Sequence, residues 1–500
     1  MLEVCDMDFI SGKDRNQMIL MPEIIDDYID ENNSVRVIEA YINSLDLSEL
    51  GFARSEPNDT GRPMYDPKDL LKLYVYGYIN RVRSSRRLET ETKRNLEVIW
   101  LLRKLSPDHK TIARFRRDNA SALKNVFRNF VKLCMKLNLY GKEMVTIDGS
   151  KFKAVNSKDR NFTQKKLNDR LAHIETKIHE YLDLLNEQDT QDDTAEIEHT
   201  TEEITAIITR LVQRKSDYES FRKDMEESDE TQKSLTDPDS RLMKYHGDTA
   251  VCYNVQAVAD SKNKMIVDFD VTNQSQDKNQ LSPMSIKAKE MLEAEGLTAV
   301  ADAGYDSASD IVNCIENGIT PHVAHIAGGD IQVCIETEEV ETAPIDSYTN
   351  GRCVYIAKRN LAVCPMGQML YPSYYKKRAR VAIFRNGRAC SKCLLKCTSE
   401  RYKRFEMMMK KSAFSKEYDD KDFHVRQITV SSDKELLKQR KCIAEHPFGT
   451  IKRTMDAGYM LTKGKRGVSG ELSLTFLAYN LKRAINILGT ERMLNAINAR

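Results

Sequence analysis

The sequence predicts an α/β protein: a mixed-sheet core with an N-terminal all-helical region, a helical-hairpin insertion and a β-rich, cysteine-containing insertion. Three observations predict it. Apolar residues keep helical spacing to about residue 140 and then switch to strand-like runs, and two later segments break that strand pattern. Three acidic residues also stand at telling places. Asp148 closes the run Met144-Val-Thr-Ile-Asp148, Asp302 closes Val300-Ala-Asp302, and Glu445 lies on a charged amphipathic stretch that reads as a helix. An ionised carboxylate at the end of a buried strand is costly unless it is paired or binds a metal. Two strand-end aspartates and a helical glutamate suit two Mg²⁺ (or Mn²⁺) ions, which activate water or a 3′-hydroxyl for in-line attack on a phosphodiester.

Composition bounds the reading. Five hundred residues, 41% apolar and 30% charged, predict a globular protein of two to four structural units. No run reaches the roughly 18 apolar residues of a membrane span, and the acidic start Met-Leu-Glu-Val-Cys-Asp lacks a signal sequence. The expected compartment is the cytoplasm. Eleven cysteines, an odd and mostly scattered set, argue against a disulfide framework. The net charge of +2 conceals strong polarity: residues 62–140 hold 19 Lys/Arg against 7 Asp/Glu, and residues 376–411 hold 13 against 2. Residues 187–203 carry eight acids and no Lys or Arg. Two basic regions of this density point to a polyanion partner, although a charge run is by itself usually a solvated face.

The elements follow in order. Residues 1–141 form the helical region. It has an amphipathic segment at 35–44, a helix opened by Pro67, and further helices at 111–117 and 120–139, marked by proline and small polar caps. Arg81, Arg83, Arg86 and Arg87, with Arg114, Arg116 and Arg117, give this region basic groups. A helix-turn-helix-like DNA-binding unit and a bundle that only packs on the core both fit. The core is expected over 142–164 and 232–324: a strand ending at Asp148, strands at 250–258 and 264–272 joined by the turn 260–263, and a helix at about 277–295. A strand at 297–301, a helix at about 307–317 capped by Ser307 with Asp310, and a strand at 319–323 complete it. Residues 431–500 return with the glutamate helix. Strand, strand, strand, helix, strand, helix, strand, helix is the order of the ribonuclease H fold.

Two insertions interrupt it. In 165–231, Leu167, Leu171, Ile174, Ile178, Leu182 and Leu185 keep a 3–4 spacing, as do Ile204, Ile208, Leu211, Tyr218, Phe221 and Met225. This predicts an antiparallel helical hairpin within the chain, a dimer-forming coiled coil being the alternative. Residues 325–430 read as short strands and contain Cys364, Cys390, Cys393 and Cys397. Four thiolates with a CxxC pair are what a closed structural Zn²⁺ site needs, and buried reduced cysteines are the bland alternative.

At these residues the chain resembles the DDE transposases of bacterial insertion sequences, most closely the family of insertion sequence eleven-eighty-two. The resemblance rests on Tyr65-Asp-Pro-Lys-Asp-Leu-Leu71, Ile147-Asp-Gly-Ser-Lys-Phe152, Tyr253-Asn-Val-Gln256, Ala301-Asp-Ala-Gly-Tyr-Asp306 and Ala444-Glu-His-Pro-Phe-Gly-Thr-Ile-Lys-Arg453, and it spans nearly the whole chain. It implies cleavage of element ends and strand transfer by Asp148, Asp302 and Glu445 with two divalent metals. It also implies double-stranded DNA partners (terminal inverted repeats and target), a homodimer on paired ends, and a nucleoid-associated place in a bacterial cell. Related transposases carry Tyr-x2-Arg-x3-Glu-x6-Lys around the glutamate. Here Lys438 and Lys441 replace the tyrosine and arginine, and Lys452 keeps the final lysine, with Arg453 beside it. Lys438, Lys441, Lys452 and Arg453 are therefore expected at the DNA.

Taken singly, Asp148 and Asp302 also fit as ordinary turn or strand-end acids, and Glu435 and Glu471 compete with Glu445. Asp306 reads as a turn or cap residue, and His446 as a DNA or solvent contact. Pro447 is expected to kink its helix. A catalytically silent DNA-binding protein derived from a transposase, and a structure-specific nuclease of the same fold, are the rival functions.

Overall fold

The computed structural model describes residues 24–54, 64–188, 201–227, 231–324, 331–337, 353–356, 359–364, 368–393, 398, 400–419, 424–430 and 433–499. The chain divides into two compact units, Met1–Asp118 with Ala484–Arg500, and Asn119–Arg483.

The first unit is helical: α1 (Ser34–Asn43), α2 (Pro67–Ile79), α3 (Ser85–Arg94), α4 (Leu96–Leu101) and α5 (His109–Asp118), with the C-terminal helix Thr490–Asn498. The start signals work as read. Asn33 caps α1 by accepting from the Val35 amide, and Asp66 caps α2 with Pro67 in its first turn. Helix α2 is buried along nearly its whole length, and Tyr74 stacks on Phe115, which stacks on Phe52. Gly77 is required there: a Cβ would run into the Val82 carbonyl and Leu88.

The second unit begins with α6 (Ala120–Lys136), β1 (Met144–Lys153), β2 (Asn161–Thr163), α7 (Gln164–Gln188), α8 (Thr201–Glu227), β3 (Gln232–Ser234), β4 (Arg241–Tyr245), β5 (Asp248–Asp260) and β6 (Ile266–Thr272). It continues with α9 (Leu281–Leu292), β7 (Leu297–Ala301), α10 (Ala308–Glu316) and β8 (Ile319–Val323). The main sheet has the order β6-β5-β1-β7-β8, and β4 pairs with the first half of β5. Strand β1 is antiparallel to β5 and parallel to β7, and β7 is parallel to β8. This is the ribonuclease H-like arrangement expected from the element order. Phe127 of α6, Phe269 of β6 and Phe476 pack together in its core.

The hairpin is present. Phe162, Leu167 and Met225 close its base, and Lys215 of α8 pairs with Glu175 of α7 at 2.7 Å. The β2–β3 ribbon at its foot is too short to show a period in the sequence. The insert holds β9 (Ile331–Thr337), β10 (Val354–Ile356), β11 (Leu361–Val363), β12 (Met369–Lys376), β13 (Val381–Arg385), α11 (Gly387–Lys392), β14 (Arg404–Met408), α12 (Lys411–Phe414) and β15 (His424–Val430). Strands β10 to β14 form one sheet in chain order, and β9 pairs with β15. Last come α13 (Lys434–Gly449), a π-helical turn (Thr450–Thr454) and α14 (Gly464–Leu488). Helix α13 carries on past Pro447 and opens into the π turn, with Met455 N–H reaching the Thr450 carbonyl.

Three details differ from the sequence reading. Asp148 lies inside β1, which runs five residues further because β5 pairs with its whole length. Helix α9 starts at Leu281, so Asp277 belongs to the turn before it. Asp310 makes no capping box with Ser307: its carboxylate accepts from the Leu281 and Ser282 amides and caps α9 instead.

Candidate active site

Register brings the two aspartates level. In the parallel pair β1–β7, Thr146 lies opposite Val300, and β7 ends at Ala301. Two residues further on each chain stand Asp148 and Asp302, on one face because side chains alternate. The Arg440 guanidinium on α13 lies 3.7 Å from Asp148 Oδ1 and 3.8 Å from Asp302 Oδ2. Its Nη1 is buried and makes no hydrogen bond. One cation thus faces two carboxylates without good hydrogen-bond geometry to either. Burial pushes the Asp148 carboxyl up to about 6, with Arg440 pulling it down and the Asp302 and Asp277 charges pushing it up. A carboxylate raised by its acidic neighbours favours a further cation beside it.

A third acid, Asp277, stands beside the pair, and sequence reading missed it. Asp277 Oδ1 accepts from Asn254 Nδ2 at 2.7 Å and from Gln256 Nε2 at 2.7 Å, and Lys151 Nζ is 3.5 Å away. Gln256 Oε1 in turn accepts from the Tyr305 hydroxyl, whose pKa is raised by burial and by the Asp277, Asp148 and Asp302 charges, so it stays a donor. Tyr253-Asn-Val-Gln256 thereby acquires a physical meaning: Asn254 and Gln256 alternate onto one face of β5 and grip one carboxylate. Tyr253, on the other face, donates to Asp237 at 2.7 Å. Gly149 leaves room for this arrangement, since a Cβ there would push Asp277 Oδ1 and the Gln256 amide out of place.

Glu445 lies on α13 and is exposed. It stands five residues, roughly 7.5 Å of helix, beyond Arg440 and about 140° around the axis. Its rivals are placed elsewhere. Glu471 is fully buried and accepts from the Leu461 and Thr462 amides, and Glu435 is exposed in the first turn of α13. Among the described residues, no three His, Cys, Asp or Glu side chains gather closely enough to hold an ion. Arg440 stands between the two aspartates in their place.

Of the expected DNA contacts, Lys438, Lys441 and Arg453 are exposed. Lys452 is turned inward. Its Nζ donates to Ser150 Oγ at 2.6 Å and to the Lys151 carbonyl at 2.7 Å, and it lies 4.7 Å from the Phe152 ring centroid. Burial lowers its pKa to about 8. In the helical unit Arg81, Arg86, Arg87, Arg114 and Arg117 are exposed, Arg117 pairing with Asp118. Arg83 is buried, and so is Arg116, which donates to the Tyr78 hydroxyl at 3.0 Å and lies over the Tyr74 ring. Those two belong to the packing of the bundle. His446, half-buried, meets Tyr479 Oη at 3.0 Å. Asp306 follows the 3-10 turn Ala303–Tyr305, as a turn residue should.

Cys364 is buried beside Ala362, Leu370, Ala382 and Phe384. The Gln368 amide donates to its sulfur at 3.3 Å, and the Lys403 amide to that of Cys390 at 3.4 Å. Cys393 ends α11. Cys397 lies outside the described residues.

A ribonuclease H-like sheet that brings Asp148, inside one strand, level with Asp302, just past the end of its parallel neighbour, fits an enzyme that works on phosphodiesters with divalent metal ions. Residues 228–481 match the family model "Transposase DDE domain", and residues 23–118 match "Transposase domain (DUF772)". The chain belongs to the DDE transposases, and DNA cleavage and strand transfer, with divalent metal ions, are the chemistry of that family. A search of curated proteins found no match. A search of solved structures found the cryo-EM structure of a piggyBac transposase synaptic complex with hairpin DNA. It is 8% identical, covers 94% of this chain and 80% of that chain, and has a TM-score of 0.28, a likeness too loose to bear on the site. No helix among the described residues is long and apolar enough to cross a membrane.

Proposed function

We propose that this transposase binds the terminal inverted repeats of an insertion sequence of the eleven-eighty-two kind, and that Asp148, Asp302 and Glu445 hold two Mg²⁺ or Mn²⁺ ions at each cleaved end. The observation that carries this reading is the pair Asp148 and Asp302 facing one shared guanidinium. Carboxylates that already crowd one positive charge fit a harder, more compact cation better, because oxygen ligands can close around it. When bound, such ions supply activation of the attacking water or 3′-hydroxyl and neutralise charge on the phosphodiester.

The chain's own part is positioning. The β1–β7 register fixes the spacing of the two aspartates, and Tyr305 and Gln256 hold the wall behind them. Arg440 neutralises the pair before metal arrives and is free to swing towards a phosphate afterwards. Lys452 braces β1 just beyond Asp148 through Ser150 and the Lys151 carbonyl. Lys438, Lys441 and Arg453 supply phosphate contacts from the surface around α13. Glu445, exposed on the same helix and about 140° around it from Arg440, is the residue that would turn in to complete the ligand set when metal and DNA bind.

Two copies acting on paired ends are the expected assembly, and the exposed Leu182, Leu184 and Val212 of the hairpin offer apolar surface for it. A structural Zn²⁺ at Cys364, Cys390, Cys393 and Cys397 fits less well. Two of the sulfurs receive backbone N–H groups, as thiolate ligands do, but the described thiols do not gather. Metal analysis of protein purified without added zinc tests it, and less than about a tenth of an equivalent excludes a resident site.

Asp148→Asn, Asp302→Asn and Glu445→Gln are each expected to abolish cleavage of an end-containing duplex while leaving its binding nearly intact. Each change removes charge with little change of shape. Cleavage by any of them at the wild-type rate removes that residue from the site.

A further inference from the structure

Asp277 sits where a merely structural acid would be poorly used. It lies in the turn between β6 and α9, in none of the acidic segments that mark the site in the sequence. Even so, two fully buried amide side chains, Asn254 and Gln256, spend donors on a single one of its oxygens, Oδ1. The other oxygen, Oδ2, has no hydrogen-bond partner among the described residues. It would lie 3.8 Å from a Cβ at Gly304, and that Cβ would be 3.0 Å from Asp302 Oδ1. Gly149 and Gly304, the glycines one and two residues after the two aspartates, are thus the positions that flank Asp277.

We propose that Asp277 is a further carboxylate ligand of this metal site, with Oδ1 locked by Asn254 and Gln256 and Oδ2 presented to the ion beside Asp302. The inference rests on the metal-site reading of Asp148 and Asp302. Two amide donors to one oxygen fix a carboxylate's rotation, which is how outer partners orient a metal ligand. Lys151 Nζ, 3.5 Å from Oδ1, balances the charge until a dication replaces that role. A loop tether is the competing account, and the two separate cleanly. Asn at 277 keeps an oxygen that accepts from both amides, so a tether survives Asp277→Asn, whereas a metal ligand loses its charge.

The test is Mn²⁺ binding to the full-length protein without DNA, read by electron paramagnetic resonance of free Mn²⁺, with melting temperature as the check on folding. Asp277→Asn and the control Asp302→Asn are each expected to weaken binding by about tenfold or more. If Asp302→Asn weakens binding and Asp277→Asn does not, Asp277 is a tether and the inference fails alone. If Asp302→Asn binds as the wild type does, the metal-site reading itself fails and takes the inference with it. Should Asp277→Asn not melt cooperatively, Lys151→Met decides. Removing that positive charge tightens Mn²⁺ binding if Asp277 is a ligand, and unchanged or weaker binding overturns the proposal.

Discussion

Asp148→Asn should make the metal-free protein more stable at neutral pH, although it destroys the activity. The Asp148 carboxyl is moved from 3.8 to about 6, chiefly by burial. One pKa unit is about 1.4 kcal/mol, so keeping this group ionised costs the folded state about 3 kcal/mol above pH 6. The sign follows from the raised value. Below about pH 4 the group is protonated in both states and costs nothing, the cost grows between pH 4 and 6, and it is complete above that. Asparagine never ionises and escapes it. The attraction of Arg440 is already contained in that shift, so the gain stays at about 3 kcal/mol.

The unit Asn119–Arg483 should unfold with an entropy of about 0.8 kcal/mol/K, so the gain corresponds to roughly 3–4 °C in melting temperature. Thermal melts in EDTA at pH 7.5 and pH 4 measure it. The rise should be present at the first and absent at the second. Added Mg²⁺ should then raise the wild type by mass action and leave the variant where it was, closing or inverting the gap. A fall at pH 7.5, or the same shift at both pH values, would refute the burial argument for Asp148.

Four further outcomes follow from the same geometry. Arg440→Gln should lower the metal-free melting temperature at pH 7.5, by the equivalent of about 1–3 kcal/mol, because it leaves two carboxylates without their cation; saturating Mg²⁺ should restore it. Lys452→Ala should cost about 1–3 kcal/mol by stranding the Lys151 carbonyl, and should slow cleavage without changing the salt dependence of DNA binding, since its ammonium is spent on β1. Arg86→Ala with Arg87→Ala should reduce the slope of log affinity against log salt by roughly 0.9 for each phosphate the two arginines neutralise. Arg116→Ala should leave that slope alone and lower the melting temperature, because its guanidinium is buried over Tyr74.

What could be read from the sequence and what could not divides along one physical line. Strand order is written in local hydrophobic period, so Asp148 and Asp302 could be placed on strands of one sheet from residues alone, although β1 runs on past Asp148. Their shared level is simply the 146-to-300 register continued for two residues. Spacing alone puts Lys452 two helical turns from Glu445 on an uninterrupted helix. Lys452 falls inside the π turn Thr450–Thr454, and the lysine ends up against β1. The same sensitivity separates Lys441, which matches the motif spacing and is exposed, from Arg440, which does not match and faces the aspartates. One position is about 100° of helix, and aligning a motif by spacing cannot resolve it.

Asp277 was hidden for a different reason. Its turn read as the first residues of a helix, and its partners Asn254 and Gln256 lie more than twenty residues away on a strand whose polar positions look like ordinary alternation. Only the antiparallel pairing of β1 with β5 makes the connection. It sets Gly149 opposite Gln256, and the missing side chain at 149 leaves the space that the Asp277 carboxylate occupies. Gly149 has φ in no unusual region, so its requirement for glycine is steric and comes entirely from a residue 128 positions later. Even a conservative Gly149→Ala should therefore displace Asp277 from its two amide donors, and its effect on Mn²⁺ binding should match that of Asp277→Asn and not that of a change to β1.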